Sequence, residues 1–234
     1  KWVWASQDGT KSVEVEPSFH GRATLHDKDI LVYAISLLIA GINKGMVPKT
    51  TRTIRFKARD FLKVTGKNLG AKSYDALKLS LARLAGTRIK TNIKTGRSKI
   101  TKGFGIIDSW GIVEKSTNDN TMVALELTIS EWLHNSITEM EVLTISDDYF
   151  DLRKPIERRL YEIARKHCGS QEKWRISLPV LLEKIGSRAN IYKVYENLKN
   201  VAENNNLPQY EMKIIPSEKI ENIIIEFVSK RVLS

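Results

Sequence analysis

A pattern typical of two helices joined by a glycine-terminated turn occurs twice in this sequence. In the first half, Leu62-x-x-x-Gly66 precedes Tyr74-x-x-Leu77, and in the second half Leu182-x-x-x-Gly186 precedes Tyr195-x-x-Leu198. The glycine and the tyrosine are eight residues apart in the first copy and nine in the second. Strand-like runs follow each copy. The order helix, turn, helix and two-stranded hairpin predicts an α+β chain of two tandem winged-helix domains related by a pseudo-repeat.

The first half contains every element of this pattern. Thr24 and Asp27 have the spacing of a capping box, which predicts that a long helix begins there. Ser73 is the predicted N-cap of the second helix of the turn motif, which extends to about Leu84. Basic strand-like runs at 88–94 and 100–110, joined by a turn at 95–98, form the predicted wing.

The second half repeats this order. The pattern predicts a helix over 155–167, a strand near Trp174, a helix ending at Gly186 and a helix over 190–203. A second wing is predicted from the runs 210–215 and 220–228. Between Glu114 and Asp151 the chain has nine acidic residues and one lysine, which reverses the charge of the preceding segment. We place the domain boundary in this region, giving an N-terminal domain over 1–140 and a C-terminal domain over 141–234.

Positive charge is concentrated in one segment of the first half. Between Lys44 and Gly105 there are seventeen Lys or Arg and two acidic residues, so this segment carries +15 while the whole chain carries +11. The segment coincides with the first helix-turn-helix and its predicted wing. Basic charge on such a motif favours binding to nucleic acid, because neutralising phosphates releases counterions.

The candidate DNA-binding residues of the first domain lie on its second helix, the turn before it and the predicted wing. Helical spacing places Lys72 and Arg83 on the exposed face of that helix. The alternative is a solvated helix face with no ligand, but a face selected only for solubility normally mixes both signs of charge. The candidates are Lys67, Asn68, Lys72, Ser73, Lys78, Arg83, Arg88, Lys90, Lys94, Arg97 and Lys99.

In the second domain, Arg188, Asn190, Tyr192 and Lys193 lie at the start of the corresponding helix. Residues at this position enter the major groove when a helix-turn-helix docks on DNA. Arg and Asn can bond guanine and adenine in two-pronged geometry, so base reading is one hypothesis. The alternative is an Asn190 that only caps its helix beside an ordinary polar turn.

No catalytic or metal-binding constellation is evident in the sequence. The four histidines show no paired spacing for a metal, and no GxxxxGK[ST] loop for nucleotide phosphates is present. Tyr149 and Tyr161 are conceivable nucleophiles for DNA nicking or joining, but at helical spacing Tyr161 is better explained as a packed side chain. We therefore expect no enzyme activity and no cofactor. One cysteine, Cys168, and the absence of a long apolar run predict a cytoplasmic protein.

Several segments resemble one known family. Residues 23–34 (ATLHDKDILVYA), 74–87 (YDALKLSLARLAGT), 103–110 (GFGIIDSW), 143–152 (LTISDDYFDL) and 157–167 (ERRLYEIARKH) are similar to the replication initiator protein A family of bacterial plasmids. The resemblance runs in order from about residue 20 to residue 210. It implies binding to repeated sites (iterons) in duplex DNA at a plasmid origin, local opening of the duplex and recruitment of the host replicative helicase and initiator proteins. In tandem winged-helix initiators more broadly, monomers bind origin repeats and homodimers repress their own promoter.

The residues alone support a sequence-specific binder of double-stranded DNA. A transcriptional repressor or a partition factor with the same tandem domains, but without initiator activity, is therefore the alternative to an initiator.

Overall fold

A computed structural model of the chain describes residues 1–6, 8–93, 102–116, 119–139, 143–187 and 189–230. The chain divides into two compact units, the N-terminal unit Lys1–Val142 and the C-terminal unit Leu143–Ser234. This division lies two residues beyond the boundary that we placed between residues 140 and 141. Each unit is described by itself.

The N-terminal unit has two antiparallel sheets. Its elements in chain order are β1 (Trp2–Ala5), β2 (Ser12–Glu16), α1 (Lys28–Asn43), β3 (Thr53–Lys57), α2 (Ala58–Val64), α3 (Ala71–Gly86), β4 (Arg88–Thr91), β5 (Lys102–Gly105), β6 (Ile107–Ser116), β7 (Asp119–Ile129) and α4 (Glu131–Thr138). One sheet has three strands in the order β3–β7–β6, and the other has four in the order β1–β2–β4–β5. The N-terminal hairpin, β1–β2, therefore forms one edge of the second sheet.

One hydrophobic core joins α1, α2 and α3 to the three-stranded sheet. The alternation along β3 shows how the sequence builds it, because Ile54 and Phe56 are buried while Arg55 and Lys57 are exposed. Leu81 of α3 is fully buried in the same core. The core therefore fixes α2 and α3 against the sheet and leaves their polar faces in solvent.

The reciprocal bonds of the predicted Thr24–Asp27 capping box are present, but they lie in the turn before α1, which begins at Lys28 with Asp27 and not Thr24 as its N-cap. The Thr24 backbone N–H donates to Asp27 Oδ2 at 2.8 Å, and the Asp27 backbone N–H donates to Thr24 Oγ1 at 3.3 Å. These reciprocal bonds satisfy two backbone donors of that turn. They also fix the Asp27 carboxylate beside the helix.

The predicted wing of the N-terminal unit is confirmed in part, because β4 and β5 pair in antiparallel fashion, from Arg88 opposite Gly105 to Thr91 opposite Lys102. The run 100–110 does not form one strand, because its described part divides at Ile106 into β5 and β6, which belong to different sheets. A Cβ atom added at Gly105 would lie 2.8 Å from the Ile107 carbonyl oxygen, so this change of sheet requires glycine. β4 pairs with β2 and β5, and the hairpin that completes the three-stranded sheet is β6–β7. Local patterning could not reveal the β2–β4 pairing, because β2 lies far from β4 in sequence.

The C-terminal unit is built around one three-stranded antiparallel sheet. Its elements are α5 (Pro155–His167), β8 (Lys173–Ser177), α6 (Leu178–Ile185), α7 (Ile191–Asn204), β9 (Tyr210–Ile215) and β10 (Ile224–Ser229). The strand order is β8–β10–β9. The predicted helix over 155–167 is confirmed, whereas the last strand begins four residues later than predicted because Ile220–Asn222 form a 3-10 turn.

The two units share an order of six elements. The order helix, strand, helix, helix, strand, strand is α1–β3–α2–α3–β6–β7 in one unit and α5–β8–α6–α7–β9–β10 in the other. In both sheets the third strand lies between the first and the second. Gly66 and Gly186 follow α2 and α6 with φ of 62° and 74°, a left-handed conformation that favours glycine. The N-terminal unit also has β1 and β2 before this order, β4 and β5 between its third helix and its last hairpin, and α4 after it.

Candidate nucleic-acid interface

The exposed side chains of α2, the following turn and the start of α3 form a basic surface of the N-terminal unit. Arg59 and Lys63 are one helical turn apart on α2, Asn68 lies in the turn, and Lys72 lies in the first turn of α3. All four are exposed. We call these four residues the helix-turn-helix surface. Its three cations form no ion pair with any other residue that the structure describes, so their charges face solvent.

Sequence reasoning included Asn68 and Lys72 among the candidates but missed Arg59 and Lys63. Their separation of four residues on a short helix whose other face carries buried Phe61 and Leu62 is the signal that could have identified them. Both residues were counted in the charge of the +15 segment, but their positions on the exposed face of α2 were not recognised.

Two of the predicted candidates, Lys67 and Arg83, are paired with buried acids at the start of α1. Lys67 Nζ lies 2.8 Å from Asp29 Oδ2, and Arg83 Nε donates to Asp27 Oδ2 at 2.8 Å. A second guanidinium nitrogen, Nη2 of Arg83, donates to Asp27 Oδ1. The expectation that Arg83 is on the exposed face of its helix is therefore wrong, since only 19% of its side chain is accessible.

Asp27 and Arg83 each shift the pKa of the other. Burial would raise the pKa of the Asp27 carboxyl, but the hydrogen bonds that it accepts, chiefly from Arg83, outweigh burial and hold the pKa below the ordinary 3.8. In return, the hydrogen bond to Asp27 raises the pKa of the Arg83 guanidinium. Both groups are charged at neutral pH, and each satisfies the other.

Ser73 and Lys78 are half-buried on α3. The prediction that Ser73 caps this helix is wrong, because α3 begins at Ala71 and its N-cap is Gly70, whose carbonyl accepts from the Ser73 backbone N–H at 2.9 Å. The helix starts earlier because glycine is an acceptable N-cap residue and Ala71 and Lys72 favour helix.

Arg88 and Lys90 lie on β4, in the four-stranded sheet, and are exposed. Their cross-strand neighbours on β2 are Glu16 and Glu14. Opposite charges on facing residues of one sheet attract each other. The positive charge of this strand is therefore partly offset by the acids of β2.

Four further candidates, Lys94, Arg97, Lys99 and Arg188, lie outside the described residues, so their contribution stays a prediction.

In the C-terminal unit, the start of α7 presents the predicted side chains to solvent. Asn190 is the N-cap of α7, and its side-chain oxygen accepts from the Tyr192 backbone N–H at 2.9 Å. The capping role considered for Asn190 is thus confirmed, while base contact stays a prediction. Tyr192 is 64% exposed and Lys193 is also exposed.

Charge on the C-terminal unit is balanced locally by ion pairs. The unit has 16 Lys or Arg against 13 Asp or Glu, whereas the N-terminal unit has 22 against 14. On α7 itself, Lys199 Nζ lies 2.6 Å from Glu196 and also lies over the Tyr195 ring. Further pairs are Lys154–Glu157, Arg159–Glu162, Arg175–Glu226 and Lys213–Glu211. This unit therefore offers fewer free cations for phosphates.

The two tyrosines considered as nucleophiles are both fully buried. The Tyr161 hydroxyl donates to Gln209 at 3.2 Å and accepts from the Ser146 backbone N–H at 2.8 Å, and burial raises its pKa. The Tyr149 hydroxyl donates to Glu162 at 2.8 Å. The interpretation of Tyr161 as a packed side chain is confirmed. Neither hydroxyl is placed to attack a DNA strand from solvent.

His134 is buried against the protein, with Nε2 lying 2.8 Å from the Lys49 carbonyl oxygen. In the described parts of the chain, no group of three or more His, Cys, Asp or Glu side chains is arranged to hold a metal ion. None of the described helices is both long enough and apolar enough to cross a membrane.

Comparison with known proteins identifies related sequences. The model of a family described as Replication initiator protein A matches residues 1–212. A curated protein of Wigglesworthia glossinidia brevipalpis, named "Putative replication protein", is 40% identical over 206 residues, which are 88% of this chain and 74% of that protein.

Solved structures show where the same fold occurs. Domains 2 and 3 of RctB align with a TM-score of 0.71 at 12% identity, covering 97% of this chain and 90% of that chain. The Pi initiator protein, crystallised in complex with iteron DNA, aligns with a TM-score of 0.55 at 16% identity, covering 94% of this chain and 97% of that chain. At such identities the similarity establishes a shared fold of mixed helix and sheet.

Proposed function

Because this chain belongs to the replication initiator protein A family, we propose that it is a plasmid replication initiator composed of two tandem winged-helix domains. It binds repeated sites in origin duplex DNA, opens the duplex locally and recruits the host replicative helicase and initiator proteins. It acts in the bacterial cytoplasm, as a monomer on origin repeats and as a homodimer on its own promoter.

The observation that carries this proposal is the six-element order found in both units. A helix-turn-helix followed by a β-hairpin, α2–α3 with β6–β7 and α6–α7 with β9–β10, is the arrangement of a winged helix. The Pi initiator, which shares the fold, is described in complex with iteron DNA. Two such units in one chain suit a protein that contacts two successive grooves of one duplex.

In this proposal the N-terminal unit supplies most of the phosphate contacts. The exposed, unpaired Arg59, Lys63 and Lys72 lie on α2 and at the start of α3, the part of a helix-turn-helix that faces DNA. Each phosphate that a cation neutralises contributes about 0.9 to the slope of log K against log salt concentration. Such contacts fix the position of the protein on the duplex without reading its sequence.

The C-terminal unit supplies much of the sequence reading. Asn190, Tyr192 and Lys193 are exposed at the N-terminal end of α7, where side chains of a recognition helix contact base edges. Asn190 uses its side-chain oxygen in the cap, but its amide nitrogen remains a donor for a base acceptor. The unit's balanced charge is consistent with a smaller part in phosphate binding.

The test is footprinting of the full chain on the origin region of its own plasmid, followed by permanganate probing for unpaired thymines. We expect protection of directly repeated sites and permanganate reactivity in an adjacent AT-rich segment. Protection confined to a palindromic promoter, with no opening at the repeats, would instead identify a transcriptional repressor or a partition factor.

A further inference from the structure

Two carboxylates at the start of α1 are almost completely buried. Asp27 is 1% exposed and Asp29 is 0% exposed. Burying an ionised carboxylate without partners costs several kcal/mol or more, so such groups persist only where cations or hydrogen-bond donors meet them. The identity of those partners shows what the two carboxylates hold in place.

Each carboxylate has one cationic partner in the predicted DNA-binding segment. Lys67, in the turn after α2, reaches Asp29, and Arg83, in the last turn of α3, reaches Asp27 with two nitrogens. The start of α1 is therefore bonded to the DNA-binding segment at two points, one in the turn before α3 and one in the last turn of α3. The Arg83–Asp27 contact is two-pronged, which restricts orientation as well as distance.

The C-terminal unit has a counterpart in the same place, with less charge. Glu157, in the first turn of α5, is 4% exposed and accepts from Asn206 Nδ2 at 3.1 Å, just after α7 ends. Arg159 of α5 also donates to the Lys184 carbonyl at the end of α6. In both units the first helix thus anchors the two helices that follow, but only the N-terminal unit does so with cations from the DNA-binding segment.

We propose that Asp27 and Asp29 are positioning residues for DNA binding, and that they set the orientation of α3 through Arg83 and Lys67, which do not themselves contact DNA. This inference rests on the proposed function, since it concerns how the N-terminal unit presents its helix-turn-helix surface. It reassigns two cations of the +15 segment from ligand binding to the internal support of the binding surface.

For Asp27→Asn, the proposal predicts a change in DNA affinity opposite to the change that net charge alone predicts. Asp27→Asn raises the net charge of the chain by one, which on charge alone should tighten binding to DNA. Loss of the anchor should instead weaken binding to the origin repeat by roughly tenfold, in the range of coupling energies between contacting residues. Asp60→Asn is the matched control, because Asp60 is exposed on α2 and makes the same change of charge.

Arg83→Gln and Lys72→Gln form the second matched pair, since each removes one positive charge from α3. Lys72 is exposed, so its loss should reduce the salt slope by about 0.9 if it contacts a phosphate. Arg83→Gln should lower affinity for the repeat and leave the slope unchanged. The double variant Asp27→Asn/Arg83→Gln should lose less affinity than the two single losses combined, because both remove the same contact.

The experiment measures binding of the full chain to a footprinted origin repeat and to an unrelated duplex over a series of salt concentrations. Circular dichroism of each variant reports whether it folds. If Asp27→Asn does not fold, Arg83→Lys replaces it, since lysine keeps the charge but lacks the two-pronged geometry. We then expect weaker binding to the repeat at an unchanged slope.

Three results would overturn the inference: a slope reduced by Arg83→Gln as much as by Lys72→Gln, binding tightened by Asp27→Asn as by Asp60→Asn, or full affinity in Arg83→Lys. A wild-type chain that shows no salt-dependent binding to DNA would contradict the proposed function instead, so the two failures are distinguishable.

Discussion

The N-terminal and C-terminal units have the same six-element order but handle charge differently. In the N-terminal unit, Arg59, Lys63 and Lys72 are exposed and unpaired among the described residues, while Lys67 and Arg83 are paired with buried acids. In the C-terminal unit, basic side chains form ion pairs with acids of the same unit, and Arg158, Arg159, Arg165 and Lys230 donate to backbone carbonyls. One fold can therefore carry two different charge patterns, since surface charge can change without changing the core.

The largest expected effect tests whether the two units have equivalent cores. Leu77 of α3 and Leu198 of α7 occupy the same place in the repeated pattern and are 3% and 0% exposed. Replacing either leucine by alanine should lower the free energy of unfolding of its unit by about 2–5 kcal/mol, because a buried side chain is replaced by a cavity. Urea unfolding followed by circular dichroism measures this change. The controls Leu79→Ala and Tyr192→Ala, at exposed positions, should change it by less than about 0.5 kcal/mol.

The next effect concerns the strands that the C-terminal unit lacks. Gly105→Ala should destabilise the N-terminal unit by about 1–3 kcal/mol, because the new methyl group would lie 2.8 Å from the Ile107 carbonyl oxygen. Gly103→Ala is the matched control, since a Cβ there meets nothing within 4 Å. Equal thermal stability of the two variants would contradict the close approach at Gly105.

A smaller effect is expected from α7, on specificity rather than stability. Tyr192→Ala should reduce the difference in binding free energy between the origin repeat and a scrambled duplex by about 1–3 kcal/mol, the range for one base contact. The salt slope should stay unchanged. Fluorescence anisotropy with both duplexes measures this difference. A uniform loss on both duplexes would assign Tyr192 to backbone contact.

The smallest expected effect is a dependence of the stability of the N-terminal unit on pH, which arises from Asp27. The pKa of Asp27 is lower in the folded chain than its ordinary 3.8, so its stabilising contribution is complete above about pH 4 and is lost as pH falls through the folded pKa. The difference in unfolding free energy between wild type and Asp27→Asn should therefore be constant above about pH 4 and shrink as the pH falls below it. A difference that stays constant as the pH falls further would show that Asp27 does not act through its charge.

Local features of the fold were predictable from the sequence. The reciprocal Thr24–Asp27 bonds, the glycines that end α2 and α6, and the helix over 155–167 depend on contacts within one or two turns of chain. Non-local pairings were not predictable in this way. The β2–β4 pairing joins the N-terminal hairpin to residues more than seventy positions later, and no local pattern encodes it.

The candidate site shows the same limit. Helical periodicity places Arg83 and Lys72 on the same side of α3, about three turns apart. Periodicity does not indicate that the start of α1 lies beside the last turn of α3, where Asp27 meets Arg83 from 56 positions earlier. Exposure of the first turn and burial of the last are consequences of tertiary packing.

The central claim, that the N-terminal unit holds phosphates while the C-terminal unit reads sequence, is tested most directly by one variant. Arg59→Gln/Lys63→Gln/Lys72→Gln removes the three unpaired cations of the helix-turn-helix surface. We predict that the slope of log K against log salt concentration falls by about 2.7, while the ratio of affinities for the origin repeat and a scrambled duplex is preserved. An unchanged slope with a collapsed ratio would contradict the claim and assign sequence reading to the N-terminal unit.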